Sequence, residues 1–225
     1  MAFPRFPLSL ILASLMLTSA GASHAQTLSI PPKPDSNPTY ATASRTVTPL
    51  SDEEVRFQRQ ALEALMAKSP AMVDKIQTTP QKYAPPILFG LGFQQFEAAG
   101  DDKDKAEQAM FWMTAGYLRA LSDAEKLADS PIRGRMESWV SRYLGQPYAQ
   151  AVGRYRGDMQ ALVKQVTAWD TTTPRDYHPG WLGWMQPDAP AQAFALEPEA
   201  KWPAIDAKAR VALEKAVLAD LKQRQ

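Results

Sequence analysis

The chain contains no cysteine. That single absence excludes disulfides, thiolate nucleophiles, cysteine zinc sites, iron–sulfur clusters and a lipidated N-terminal thiol. Histidine is almost absent too, with His24 and His178 the only two. One-signed charge is also missing: 25 basic residues face 24 acidic ones. Such a balance supplies no field for attracting nucleic acid or an anionic membrane, so neither is expected as a partner. No apolar run reaches the roughly 20 residues that a membrane-spanning helix needs. No segment alternates β-branched and polar residues with period two, which argues against a sheet.

What is present begins with an export signal. Arg5 is the only charge ahead of LSLILASLML, residues 8–17, an apolar stretch of the length of a signal-peptide core. Small residues follow, and Ser23 and Ala25 suit a signal peptidase, so cleavage is expected after Ala25. The alternative is an uncleaved anchor or a buried core helix. Cleavage would remove His24 and Arg5, leaving one histidine and equal numbers of acidic and basic residues. The expected location is the bacterial periplasm, with no stable membrane insertion of the mature chain. A protein with one histidine and no cysteine has few ways to build a nucleophile–base pair or a metal site. Composition therefore leans against an enzyme, and no catalytic residue, metal or cofactor is expected. Carboxylate chemistry of the glycosidase kind is the form that stays open.

Residues 26–50 hold several prolines among Ser, Thr and Asn and read as a flexible leader, or alternatively as a docking strand. Residues 51–225 read as a single all-α domain, an irregular multi-helix bundle built around αα-hairpins. Ser51-Asp52-Glu53-Glu54 forms a capping box that opens a helix burying Val55, Leu62, Leu65 and Met66. Ser69-Pro70 starts a short helix with Met72, Val73 and Ile76 inward. From Pro85 to about Leu121 the pattern is a helical hairpin that turns at Gly100. Gly90, Gly92 and Gly116 lie inside its helices, where each costs up to about 1 kcal/mol relative to Ala, and their expected purpose is close helix–helix approach. Ser130-Pro131 opens a helix that Gly145 is expected to end; another begins near Gly157-Asp158. A final helix from Pro203 to Lys222 carries Ile205, Val211, Leu213, Val217, Leu218 and Leu221.

Leu91-Gly92, Gly100, Lys105-Ala106, Ala109-x-x-Trp112 and Ala115-Gly116 together resemble the hairpin of Sel-like tetratricopeptide repeats. The resemblance covers about 30 residues and Phe96 is displaced by one position. A single copy is present, whereas a repeat array needs about three. The run from Ala109 to Ala120, with Val166-Thr167-Ala168-Trp169-Asp170 and Pro174, is similar to small exported immunity proteins of type VI and contact-dependent toxin systems. That resemblance implies a periplasmic protein that binds and neutralises one toxin. The alternatives are an envelope glycan- or lipid-acting enzyme and a general envelope scaffold.

Candidate interaction residues are Trp112, Tyr177, His178, Trp181 and Trp184. The aromatic loop Asp176–Met185 either anchors an interface or folds inward to seal the last helix. Trp112 either is a binding anchor or marks a central helix buried on both faces. His178 lacks an assignable Ser or Asp partner and reads better as a surface histidine. Asp101, Asp102 and Asp104 lack the glycine and the bidentate glutamate of a calcium loop, and read as turn and capping residues.

Overall fold

A computed structural model describes residues 50–183 and 195–223, except the side chains of Leu182 and Gln223. The expected signal peptide, nearly all of the leader, and Trp184 lie outside the described residues. Within them the protein is all-α, and a lone antiparallel bridge, Leu127 to Leu196, is the extended pairing present.

Helix α1 (Asp52–Met66) starts where Ser51 Oγ accepts from the Glu54 amide at 3.1 Å. Its first turn carries three acids that suit the positive end of the helix dipole. Its buried stripe is Val55, Gln58, Ala61 and Leu65. Met66, expected inside, is 38% exposed, because it lies one position past the four-residue spacing that points Ala61 and Leu65 inward. Gln58 takes a place on that stripe by bonding at both ends of its amide. Its Nε2 donates to Lys82 O and its Oε1 accepts from Ala84 N. Buried amides persist only when satisfied in this way. Helix α2 (Pro70–Thr78) follows, with Pro70 in its first turn and Ile76 fully buried.

Helices α3 (Pro85–Ala99) and α4 (Lys103–Glu125) form the hairpin. Gly100 turns the chain at φ +57°, in the left-handed region that favours glycine. Asp102 then caps α4 by accepting from the Lys105 amide at 3.1 Å. The two helices touch backbone to backbone. A Cβ on Gly92 would stand 2.4 Å from Met113 N, and one on Gly116 would stand 2.5 Å from Phe89 N. Gly90 faces Leu65 of α1 instead. Helix α4 is central: it packs on α3 and on four later helices, and Trp112, Met113, Ala115, Gly116, Leu118 and Arg119 are all buried on different sides of it.

Helix α5 (Ser130–Val140) is capped by Asp129, which accepts from the Ile132 amide, one residue before the expected Ser130. Gly145 does not end it. The backbone runs on through a single π-turn, Ser141–Gly145, into α6 (Gln146–Arg154). Proline in a helix interior removes a donor, and a π-turn absorbs that defect by placing Pro147 in the first turn of a new helix. A side chain on Gly145 would press on the Tyr117 hydroxyl, at 3.2 Å, so this glycine serves packing while its backbone stays helical.

Helix α7 (Met159–Thr172) begins at Asp158, which accepts from the Ala161 amide. A 3-10 turn at Pro179–Gly183 follows. Farther on, two backbone bonds, Ala128 N to Ala195 O and Glu197 N to Lys126 O, tie the chain to the end of α4. Helix α8 (Trp202–Gln223) buries Ala209, Leu213 and Val217 at four-residue intervals. Val211 and Leu218 were expected inside but are 49% and 39% exposed. They lie off the one stripe that α4 and α7 cover.

Candidate functional site

Arg119, Ser122 and Asp123 occupy one face of α4, and Lys126, the residue that caps its C-terminus, continues it, since residues three and four apart are neighbours on a helix. That face meets Asp170 at the end of α7, Arg175 and Tyr177 of the following segment, and Asp206 and Arg210 of α8. Asp123, Lys126, Asp170, Arg175, Tyr177, Asp206 and Arg210 border a cleft of about 420 Å³, with Trp202 and Glu199 also in its lining, and Arg119 and Ser122 bond to Asp170 and Asp206 of that lining.

The charges alternate. Asp170 receives Arg119 Nε at 2.8 Å, Arg175 Nη2 at 3.0 Å and Arg210 Nη1 at 2.9 Å. Asp123 receives Lys126 at 3.1 Å, Arg175 Nη1 at 3.2 Å and the Trp181 indole N–H at 2.8 Å. Asp206 takes Lys126 and Arg175, both at 3.0 Å, and the Ser122 hydroxyl. The Arg119 guanidinium also lies over the Trp169 ring at 4.4 Å, and Lys126 over Trp202 at 5.2 Å. Pairing of opposite charges is what allows Arg119, Asp123 and Asp170 to sit where solvent hardly reaches, because an isolated buried ion costs several kcal/mol. Burial by itself pushes the Asp170 carboxyl up, but Arg175, Arg119 and Arg210 outweigh it and hold the group below its ordinary value. Burial, reinforced by Asp123, drives the Tyr177 phenol far above its ordinary value, so it stays protonated. Its hydroxyl and Arg119 Nη1 are buried without a hydrogen-bond partner.

A carboxyl that acts as a general acid must keep its proton near neutral pH. Asp170 is held the other way, and Asp123 and Asp206 are each fastened to two cations. Arg210 and Asp206 offer the accessible edges, with side chains 20% and 19% exposed.

The aromatic loop belongs to this site from the inside. Tyr177 and Trp181 are 7% and 1% exposed, and Trp181 meets Trp139 edge-on while its N–H holds Asp123. An indole can fold inward here because α4 supplies the acceptor that its N–H needs. His178 is half-buried rather than on the open surface. Its backbone N–H donates to Glu54, and its Nδ1 accepts from Gly180 N at 2.9 Å. Glu54 thus reaches across to this loop, where a capping box would have it bond to Ser51. Burial lowers the His178 pKa, partly opposed by Glu54, Asp123 and Glu199.

Trp112 lies apart from the cleft. It is 7% exposed and stands edge-on to both Phe111 and Trp169. The structure therefore brings Tyr177, His178 and Trp181 together and leaves Trp112 on the α7 side of α4. Arg119, Asp123, Lys126, Asp170, Arg175, Asp206 and Arg210 escaped the sequence reading. One signal was available: Arg119, Asp123 and Lys126 recur at helical spacing inside an otherwise apolar stretch. Among the described residues, no group of three or more His, Asp or Glu is placed to hold a metal ion, and no helix is long and apolar enough to cross a membrane.

No protein-family model matches the chain, and no curated protein or solved structure matches it.

Proposed function

We propose that the protein is an exported protein-binding domain, an immunity factor that holds and neutralises a secreted antibacterial toxin in the periplasm. The observation that carries this reading is the pairing of every aspartate in the cleft with two or three cations. A rigid, pre-paired set of charges offers complementarity to a partner without a carboxyl free to relay a proton. The signal-like N-terminus and the likeness of residues 109–120, and of 166–170 with Pro174, to exported immunity proteins support it.

The test is co-expression with candidate toxins from neighbouring genes. Protection of the cells, and tight binding of the purified pair by calorimetry, is the expected result. Full resistance of cells that lack this gene refutes the immunity role. Export is checked separately by sequencing the N-terminus of the periplasmic protein, which is expected to begin at Gln26.

A second reading is hydrolysis of an envelope glycan or lipid. It is favoured by three aspartates sharing one cleft. It requires that Asp123→Asn or Asp206→Asn abolish turnover in a variant that still folds.

A further inference from the structure

A second concave surface lies between α4 and α7, away from the charged cleft. It is a groove of about 440 Å³ lined by Asp104, Glu107, Gln108, Phe111, Trp112 and Gln165. Two features separate it from an ordinary surface dip. Its lining holds two carboxylates and no cation, and among the described residues neither carboxylate is in an ion pair. The other feature is Trp112. Its ring is 7% exposed, yet its indole N–H is buried without an acceptor, a condition that buried donors rarely tolerate.

We propose that this groove receives a basic side chain, an arginine above all, from the protein partner. The proposal rests on the partner-binding reading and names the chemistry of the partner's contact. A guanidinium is planar, spreads its charge and carries several donors. It pairs with carboxylates along its edges and stacks on aromatic faces with its plane. Here Asp104 and Glu107 form the acidic wall, Phe111 and Trp112 the aromatic one. The methylene stem of the incoming residue covers apolar ring surface. The Trp112 N–H is buried from solvent, so it reports occupancy of the groove without bonding the incoming residue. A neutral or acidic residue of the same length leaves the two carboxylates unpaired and is not held in the groove.

The experiment titrates the 15N-labelled protein with N-acetyl-arginine amide and, in parallel, with the neutral isostere N-acetyl-citrulline amide. The readout is the indole N–H resonance of Trp112, assigned from a Trp112→Phe variant. Arginine amide is expected to shift that resonance in a saturable, salt-sensitive way, and citrulline amide is expected to leave it nearly unmoved. Asp104→Asn with Glu107→Gln removes only exposed side-chain charge. It is expected to weaken arginine-amide binding by roughly fivefold or more, with only the small fall in melting temperature that loss of a first-turn acid brings. Equal response to the two probes overturns the proposal, as does full binding by the double variant. A cognate toxin that binds the double variant and the unaltered protein equally well also overturns it, while the binding reading stands. Arginine-selective binding in a protein that protects against no toxin upholds the groove chemistry and removes the immunity role instead.

Discussion

The contact between α3 and α4 makes a sharp prediction through its glycines. Gly92→Ala and Gly116→Ala each add one methyl group to a helix interior, a change that by propensity alone stabilises by about 1 kcal/mol. At these two sites the new carbon meets backbone. The added Cβ stands 2.4 Å from Met113 N and 2.5 Å from Ala109 O in the first case. In the second it stands 2.5 Å from Phe89 N and 2.8 Å from Pro85 O. Backbone in the middle of two paired helices cannot swing aside as a side chain can. Relief requires the helices to part by roughly 1 Å, which forfeits a quarter to a half of the dispersion energy of the facing atoms. Overpacking of this kind costs about 3 kcal/mol, the upper part of its usual range. After the propensity gain, a net loss of about 2 kcal/mol is expected at each site, or a fall in melting temperature of roughly 4–8 °C. Gly134 and Gly153 are internal controls. Both lie in helices with open space where a Cβ would stand, so alanine there is expected to stabilise by about 0.5–1 kcal/mol. Thermal and urea unfolding followed by far-UV circular dichroism measures all four variants. Gly92→Ala or Gly116→Ala as stable as the parent, or a loss of equal size at Gly134, refutes the close-approach argument.

Asp170→Asn is expected to destabilise by about 3–5 kcal/mol, because Arg119, Arg175 and Arg210 lose their shared counter-charge in a site with little water; urea midpoints provide the check. Since the folded-state pKa of Asp170 is lowered, its stabilising effect is present above about pH 3.9 and fades as pH falls through the folded value. His178 also has a lowered pKa, and being a base it favours the folded state when neutral. Its stabilising effect is complete above about pH 6.5 and declines as pH drops toward the folded value, where Nδ1 must release Gly180 N–H. His178→Asn retains an acceptor for that amide and is expected to flatten the stability–pH profile near pH 6, whereas an unchanged profile discounts the histidine. Trp181→Phe removes the N–H that holds Asp123, and a cost of about 2 kcal/mol or more is expected from a denaturation midpoint.

Much of the local structure could be read from the chain because its causes are local. Ser51, Asp102 and Asp158 cap the helices that follow them through bonds reaching only three residues ahead. Gly100 turns the hairpin through its own backbone freedom, and the glycines inside α3 and α4 announce a close approach. The π-turn was not readable, since Gly145 carries a stop signal that only the neighbouring Tyr117 explains. Nor was the second half of the capping box at Ser51 correct. Glu54 has two possible acceptor roles, and its bond to His178, 124 residues away, depends on where the loop folds.

The sequence by itself determined that the chain is helical, where most helices begin, and that two of them meet at glycines. All of that follows from side-chain periodicity, caps and backbone freedom within a few residues. The tertiary structure alone decided that Tyr177 and Trp181 turn inward. It also decided that Arg119, Asp123, Lys126, Asp170, Arg175, Asp206 and Arg210 close into one network, and that Trp112 lines a groove of unpaired acids. Each of these depends on groups far apart in the chain, whose pairing is stable only once folding has removed the water between them.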